Sequence, residues 1–488
     1  VIGAGPAGLS VARELAVKGY QVTVYDNLPY GGGTMLIGVP AFRLPREAIE
    51  TDVRLIERLG VTFVYNTEVG RDITFEQLQQ QFDAIAICAG AMNAVVLAQG
   101  LAAVVSERRA AALAGRRVSN ARVEPTTEPN MVFYGIMLIV SVFVAIGLVM
   151  VLSASSIVSV NSGGSAFTMF FKQLTWATVG VVAAIGTYRM PYRAWQRLNK
   201  PILFVVLGLN ALPFTPLGIS VNGAHAWVEM GPIRFQPSEL LKFALIIYLT
   251  NNLGRRQADL TDFKRTFQPA LLAWVVAAGF AMAQRDLGAA VVLSGIAFTV
   301  LYMAGSPVRW IGVSAIGASL AGLMYIFTSS SGISRWTAFL DIEGNKEHSG
   351  YQVWQSMLSI SNGGLFGVGP GAGTSKWGYV PLAHSDFIFT VIAEEFGFIG
   401  STIVIGGFFA LTFLGIVVAM RAPDYSGALL AAGITMWFAV QAIINIGGVV
   451  GAMPVTGLTL PLISYGGSSL LITLSAAGLL LNIARKMN

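Results

Sequence analysis

The chain has 488 residues, of which 54% are hydrophobic and only 11% are charged, whereas ordinary globular domains are about 25% charged. So many apolar side chains cannot all be buried in one soluble core, and a membrane protein is therefore the default class. The net charge of +6 fits nucleic acid or an anionic membrane face, and the single cysteine, Cys88, excludes an internal disulfide and a multi-cysteine metal site.

Residues 1–93 alternate short apolar stretches with polar ones at ordinary polarity, which predicts an α/β fragment. The stretches "QVTVYD" and "DAIAICAG" predict strands, and Glu47 to Leu59 predicts a helix. Val1 already lies inside an apolar strand pattern and no signal peptide is visible, so we expect a truncated N-terminus. Residues 94–130 predict an Ala-rich helical stretch followed by a Pro- and Thr-containing linker.

From Met131 onward the sequence predicts a polytopic α-helical membrane domain, because about 20 mostly apolar residues span a bilayer. The eighth candidate span is too long for one crossing, so we expect it to include a helix lying at the outer surface. The ten candidate spans are 131–153, 169–187, 201–215, 238–252, 268–283, 287–304, 309–327, 387–419, 427–450 and 460–484.

The basic residues predict how these spans are oriented, because cytoplasmic loops carry an excess of Lys and Arg. Basic clusters fall on one side at 116–122, 189–200, 255–265 and 485–486, and the opposite side carries fewer basic residues in longer loops. We therefore expect both termini in the cytoplasm and the long loop 328–386 outside. Topology explains the positive charge, so nucleic acid is not needed as a partner.

The first polar motif on the predicted outer side is "GPIRFQPSELLKF". Pro237 predicts a helix start, and Glu239 and Lys242 are three residues apart and share one helix face. One interpretation is a self-neutralising ion pair at the interface. The other is that Lys242 and Arg234 form an anion site at the outer mouth of a cavity.

The second motif is "SKWGYVPLAHSDFIFTVIAEEFG". Ser385 is expected to cap an inward-running helix with Asp386 in its first turn, where the helix dipole would hold the carboxylate ionised. Such a carboxylate can accept a proton from a substrate hydroxyl, whereas the alternative is an acidic first turn and nothing more. The neighbouring Lys376 and His384 favour the functional interpretation. Two deeper acids of the motif are expected to make structural contacts: Glu394 and Glu395.

The third motif is "PVTGLTLPLISYGGSSL", which contains Ser464 and Tyr465. Its prolines, glycines and hydroxyls interrupt the helical pattern near the outer surface of the membrane. Irregular backbone in a membrane needs protein or water around it, because its polar groups must be hydrogen-bonded. The motif therefore predicts a cavity wall. The cations of these motifs suit a diphosphate leaving group, and the carboxylate suits activation of a sugar hydroxyl. Many transporters carry similar charges.

Residues from about 116 to 488 resemble the SEDS family (shape, elongation, division and sporulation) of bacterial cell-wall polymerases. The resemblance covers all ten spans, and "VLSASS", "PVTG" and "ISYGGSS" are more similar to its division branch, FtsW, than to its elongation branch, RodA. The motifs that carry it are "GLVMVLSASS", "NGAHAWVEMGPIRFQPSEL", "GYQVWQSMLSISNGGLFGVGPG", "AHSDFIFTVIAEEFG" and "PVTGLTLPLISYGGSS".

This resemblance implies a peptidoglycan glycosyltransferase that polymerises lipid II into β-1,4 glycan strands with inversion at the sugar. Asp386 matches the essential aspartate of the family, and we assign it general-base activation of the acceptor hydroxyl. Arg234 and Lys242 match basic residues implicated in activity, and we assign them to the diphosphate. The remaining candidates for substrate binding are Glu239, Asp286, Lys376, His384, Ser464 and Tyr465.

The resemblance also implies partners and a location. The partners are a class B penicillin-binding protein, which is a transpeptidase, and division proteins at the septum of a bacterial cytoplasmic membrane. No cofactor is required, no metal ligands are assigned, and the sequence leaves open whether a divalent cation assists.

The sequence departs from the family pattern at three positions. Leu382 replaces a usual Glu, Ser385 replaces a usual Thr, and Arg285 replaces a usual Pro before Asp286. Ser385 keeps a hydroxyl, and Leu382 removes an acid that could have served as a second carboxylate or a metal ligand. We expect activity to survive these changes.

The N-terminal fragment resembles the flavoprotein small subunit of glutamate synthase. Gly3, Gly5 and Gly8 suit close approach of a pyrophosphate to a helix N-terminus, and Asp26 would bind a ribose. The resemblance ends near Gly90, before the second dinucleotide-binding unit that a reductase needs. We therefore expect a non-catalytic fragment, with FAD binding as the alternative.

Three other functions remain as hypotheses for the membrane domain. The same cavity would serve a lipid II flippase, an elongation-type polymerase of the RodA branch would carry most of the same motifs, and a scaffold could recruit its transpeptidase without chemistry of its own.

Overall fold

A computed structural model divides the chain into two compact units, one within residues 1–101 and the other within 102–488. The predicted helical stretch and linker at 94–130 lies outside the described residues except for Asn130. The structure describes residues 1–33, 46–88, 130–221, 224–231 and 233–487.

The first unit is a small α/β fold, as predicted. Strand β1 pairs in parallel with β2, and Ile2 forms parallel bridges to Tyr25 on one side and to Ile87 on the other. Apolar side chains such as Leu9 and Val24 fill the space between sheet and helices. The elements are α1 (Pro6–Val17), β1 (Thr23–Tyr25), α2 (Arg46–Arg58), β2 (Thr62–Val64) and α3 (Phe75–Gln81).

The second unit is mostly helical and contains one three-stranded antiparallel sheet, β3–β4–β5. Its helices are α4 (Met131–Asn161), α5 (Thr168–Arg189), α6 (Tyr192–Arg197), α7 (Asn199–Ala211), α8 (Pro237–Arg255), α9 (Gln268–Ala283), α10 (Leu287–Met303), α11 (Val308–Thr328), α12 (Ser330–Leu340), α13 (Tyr351–Gly363), α14 (Ile388–Arg421), α15 (Tyr425–Val449) and α16 (Gly467–Ala484). The strands are β3 (Gly218–Val221), β4 (Ala224–Met230) and β5 (Ile233–Phe235).

Among the described residues, seven helices are long and apolar enough to cross a membrane, namely α4, α5, α9 with the turn before it, α11, α14, α15 and α16. Helices also form at the three other predicted spans, but α7 and α10 are shorter and α8 carries Glu239 and Lys242. The protein is therefore a multi-pass membrane protein, and the count of ten spans stays a prediction.

The helices divide into a buried core and an outer layer. Helices α8, α15 and α16 are buried along most of their length. By contrast, α11 has no fully buried residue and exposes large apolar side chains such as Val313, Leu320 and Met324. In a membrane protein such an apolar outer surface faces lipid.

Helix α14 is interrupted at Gly397, where φ is 67° and ψ is −158°. The interruption agrees with the prediction that this segment is too long for one crossing. Residues 388–395, the part before Gly397, are all buried inside the protein, and the expected helix at the outer membrane surface stays a prediction. This part packs against α13, and Asp386, two residues before it, is half-buried.

Candidate functional site

Asp386 lies in a tight turn over residues 381–387 that ends where α14 begins at Ile388. The sequence suggested that Ser385 caps this helix, but the structure shows that it does not. Its hydroxyl donates to the carbonyl of Leu382 at 3.3 Å, and the residue at the N-cap position, Phe387, makes no side-chain cap. Leu382 has a φ of 58°, which reverses the chain before Asp386 and moves the carboxylate out of the first helical turn.

Three consecutive carbonyls in this turn, those of residues 384–386, are each held by a separate hydrogen-bond donor. Together the three donors fix the backbone that carries the Asp386 carboxylate. They are the main-chain amide of Tyr465 to His384 at 3.0 Å, the hydroxyl of Ser464 to Ser385 at 2.6 Å, and the side-chain amide of Asn445 to Asp386 at 2.8 Å.

Burial raises the pKa of the Asp386 carboxyl from 3.8 to about 7. The neighbouring Ser385 hydroxyl and the charge of Arg335 oppose this rise, and the nearby charge of Asp286 adds to it. The expectation of a carboxylate held ionised by a helix dipole is therefore wrong. Near neutral pH the group exchanges its proton readily, which is what a general base at that pH requires.

His384 and Tyr465 lie beside this turn with their rings edge to face, 5.5 Å apart. Burial lowers the pKa of His384, and its Nδ1 has no hydrogen-bond partner among the described residues. The imidazole is therefore neutral near pH 7. Burial raises the pKa of Tyr465 and the charge of Arg234 lowers it, which places Arg234 within electrostatic reach of the same turn.

Two cavities meet near Asp386. One has a volume of about 10 Å³, roughly one water molecule, and is lined by Asp386, Asn445 and Gly457 among others. The other has a volume of about 230 Å³ and mostly apolar walls. Val455 and Thr456 line both cavities, which confirms that the third motif forms a cavity wall.

Glu239 and Lys242 form a buried ion pair with 2.7 Å between Oε1 and Nζ. The Lys242 side chain is 0% exposed, and its ammonium also donates to Gln441 at 2.8 Å and lies over the ring of Trp437. The structure agrees with the first interpretation of the motif "GPIRFQPSELLKF", in which Glu239 and Lys242 neutralise each other. The pair lies inside the protein, so Lys242 is not an open anion site at the mouth of a cavity.

Arg234 lies on β5 and pairs with Glu229 of β4 at 3.2 Å, with both side chains partly exposed. Asp286 precedes α10 and caps it by accepting the amide of Ala289 at 2.8 Å. Its second oxygen accepts the side-chain amide of Gln236 at 2.9 Å. Asp286 thus ties the start of α8 to the start of α10.

Lys376 is held by structural contacts. Its ammonium lies 3.2 Å from Oε1 of Glu395 and also donates to Ser153 and to the carbonyl of Gly371. Because the ion pair is buried, the ammonium is not the free cation that its position in the motif suggested. Glu394 likewise accepts the main-chain amides at 374 and 375. The predicted structural contacts of Glu394 and Glu395 are confirmed.

Sequence reasoning missed three residues of this site, Asn445, Gln441 and Arg335. Gln441 and Asn445 are four residues apart on α15, and each donates to a carbonyl of the third motif, at 2.9 Å to Thr459 and 2.6 Å to Leu458. Amides on one face of an apolar membrane helix are a usable sequence signal. Arg335 had no such signal, since its proximity to Asp386 depends on the packing of α12.

In the first unit, Asp26 accepts the main-chain amides of Ala4 at 2.5 Å and of Leu28 at 2.8 Å. A Cβ at Gly8, in the first turn of α1, would collide with the carbonyl of Gly3, so the close approach of the helix to the preceding turn requires glycine at position 8. The predicted glycine turn and acid are thus brought together at one end of the sheet. Across the described parts of the chain, no group of three or more His, Cys, Asp or Glu side chains could hold a metal ion.

The family described as cell cycle protein, with the members FtsW, RodA and SpoVE, matches residues 134–488. The NAD(P)-binding Rossmann-like domain matches residues 1–55. A probable peptidoglycan glycosyltransferase FtsW of Trichlorobacter lovleyi is 38% identical over 72% of this chain and 92% of its own length. Stage V sporulation protein E of Bacillus subtilis is 36% identical over 74% of this chain and 98% of its own.

Solved structures are similar over the same region. A chain from a structure described as the coordination of polymerization and crosslinking by a peptidoglycan synthase complex has a TM-score of 0.59 and 29% identity. The rod shape determining protein RodA of Thermus thermophilus has a TM-score of 0.54 and 30% identity. Each similarity covers 72% of this chain and 97% of the other.

Proposed function

Because the chain belongs to the FtsW, RodA and SpoVE family and is therefore a peptidoglycan glycosyltransferase, we propose that it polymerises lipid II with Asp386 as general base. One observation carries the assignment. Asp386 combines a pKa near 7 with a clamped backbone at a small cavity, and these properties suit a group that accepts a proton at neutral pH.

In this reaction the acceptor sugar hydroxyl attacks the anomeric carbon of the donor sugar. A carbon–oxygen bond forms between the two sugars while the bond from that carbon to the diphosphate breaks. The hydroxyl proton passes to the Asp386 carboxylate, and the diphosphate leaves with the electron pair. Attack on the face opposite the diphosphate inverts the carbon and gives β-1,4 strands.

The proposal extends to location and partners. The end of the bundle that carries Asp386 and α12 would face outward across a bacterial cytoplasmic membrane, with both termini inside, because the basic clusters lie at the other end. A class B penicillin-binding protein would act beside it at the division septum. The support is the name FtsW among the relatives and the synthase complex that couples polymerization to crosslinking.

The test uses the purified full chain and labelled lipid II. We expect polymer from the wild type and a loss of about 100-fold or more for Asp386→Asn, since general-base catalysis contributes about 10²–10⁴-fold. Asp341→Asn changes an exposed acid of the same loop and is the matched control, with unchanged activity. Normal polymerisation by Asp386→Asn would refute the mechanism.

The same preparation separates the alternatives. A wild type that makes no polymer but moves lipid II across liposomes would be a flippase. Normal division in cells whose only copy is Asp386→Ala would indicate a scaffold. Rescue of elongation rather than division in depleted cells would indicate the RodA branch.

We also propose that the first unit is a non-catalytic fragment. The Gly3–Gly8 turn and the Asp26 carboxylate fit the phosphate and ribose of one nucleotide, because each carboxylate oxygen keeps a lone pair beside the amide that it accepts. A reductase needs a second nucleotide unit. FAD absorbance in the purified protein would contradict the proposal.

A further inference from the structure

The cations assigned from sequence to the diphosphate are already neutralised in the structure. Lys242 is buried against Glu239, and Arg234 is paired with Glu229. Two other guanidinium groups have no ion pair in the described parts of the chain: that of Arg335, whose charge acts on Asp386, and that of Arg285, which lines the same cavity as Arg335. Both are exposed and both line the cavity of about 230 Å³.

This cavity has the character of a lipid site with a charged rim. Its walls come from α10, α11, α12 and residues 453–456, and they include Val291, Ile326, Trp336 and Met453. Arg285 and Arg335 are the only charged side chains among its described lining residues. An apolar cavity with two guanidinium groups fits an isoprenoid chain that ends in two phosphates, because Arg binds phosphate oxygens in a bidentate manner.

We propose that this cavity binds the polyprenyl diphosphate end of the donor substrate, with the diphosphate between Arg285 and Arg335 and the first isoprene units against the apolar walls. The inference rests on the proposed function and specifies where the leaving group is held. The rest of the prenyl chain would leave the cavity along α11, whose exposed apolar side chains face lipid.

The contacts of Arg335 agree with this role. Its Nη1 lies 3.5 Å from the carbonyl of Val455 and 3.4 Å from that of Thr456, which are long distances for hydrogen bonds. The guanidinium can therefore turn toward a phosphate with little loss. It also acts electrostatically on Asp386, so a diphosphate at Arg335 would lie just across the Val455–Thr456 wall from the proposed base.

Arg285 supplies the second guanidinium of the site, just before α10 begins at Leu287. A diphosphate carries more charge than the single phosphate of a phospholipid. The second guanidinium therefore favours a prenyl diphosphate over a membrane phospholipid.

The experiment measures binding of labelled undecaprenyl diphosphate to the full chain in nanodiscs. We expect Arg285→Gln and Arg335→Gln each to raise the Kd on the order of 10-fold, since each removes charge-assisted hydrogen bonds, and the double variant to raise it further. Arg309→Gln is the matched control and should bind as the wild type. Equal thermal unfolding midpoints establish that the variants are folded.

Two results would overturn the inference. One is unchanged binding by the double variant. The other is displacement of the label by phosphatidylglycerol as effectively as by unlabelled undecaprenyl diphosphate, which would make the cavity a general phospholipid site.

The variant Asp386→Asn distinguishes a failure of the general-base proposal from a failure of the cavity proposal. If the double arginine variant binds normally while Asp386→Asn makes no polymer, the general base stands and the cavity assignment fails. If Asp386→Asn polymerises normally while the arginine variants lose binding, the base assignment fails and the cavity assignment stands.

Discussion

The side-chain amide of Asn445 donates to the carbonyl of Asp386 at 2.8 Å and to the carbonyl of Leu458 at 2.6 Å. One buried residue of α15 therefore joins the turn that carries the proposed base to the irregular segment that closes over it. Replacing this amide leaves the buried carbonyl of Leu458 without its donor, which costs about 1–3 kcal/mol, and also frees the part-buried carbonyl of Asp386.

Asn445→Leu should lower the kcat of lipid II polymerisation by about 10-fold or more with little change in KM, because the base loses its fixed position. The pH at half-maximal rate should shift as well, an effect that a purely structural role would not produce. Thr435→Val is the matched control, since among the described residues its hydroxyl bonds only to the carbonyl of Ala431 on the same helix. A wild-type kcat for Asn445→Leu would show that Asn445 does not position the proposed base.

The rate of polymerisation should rise with pH through about 7. A general base acts when deprotonated, so below the pKa of Asp386 each pH unit should cost about 10-fold in rate. Arg335 lowers the pKa of Asp386, so Arg335→Gln should move the midpoint to higher pH. The measurement is a pH–rate profile from saturating lipid II, and a flat profile between pH 5.5 and 8.5 would contradict the assignment.

Asp386 should also weaken the fold at high pH. Its pKa is raised from 3.8 to about 7 in the folded protein, so the folded state loses stability relative to the unfolded state as pH rises through that window. Asp386→Asn should therefore raise the thermal unfolding midpoint more at pH 8 than at pH 5. An equal effect at both pH values would mean that the carboxyl is not desolvated.

Breaking the buried Glu239–Lys242 pair should destabilise the protein. Lys242→Met leaves the Glu239 carboxylate without its cation, which for a buried pair costs about 3–5 kcal/mol. The double variant Glu239→Gln with Lys242→Met should recover most of that loss in thermal unfolding. If Lys242→Met keeps its stability and raises only the KM for lipid II, the lysine binds substrate after all.

A version of the protein that starts at Arg116 should polymerise lipid II at the rate of the full chain. The residues proposed for chemistry all lie in the second unit, and the first unit has its own small core. Parallel polymerisation assays on the two proteins check this. A marked loss of rate in the shorter protein would give the first unit a role in the enzyme.

The local sequence pattern is distinctive enough to single out Asp386 as the proposed base, a role that stays a prediction, but it did not predict how the surrounding elements pack. The reversal at Leu382 has a φ of 58°, which propensity does not predict for leucine, and it removed the expected cap at Ser385. Lys376 pairs with Glu395 of the same motif but also contacts Ser153, more than 200 residues away in the chain, and the motif gave no sign of that second partner.

The wall of Val455 and Thr456 lies between the large cavity and the small cavity at Asp386. If the donor occupies the large cavity as proposed, this wall would have to shift before the acceptor hydroxyl beside Asp386 could reach the anomeric carbon. Gly451 and Gly457 flank the wall with φ of 74° and 76°, a conformation open to glycine at no steric cost, so a shift there would need no strained residue. The two proposals together thus imply that formation of the glycosidic bond is coupled to a local rearrangement of this segment.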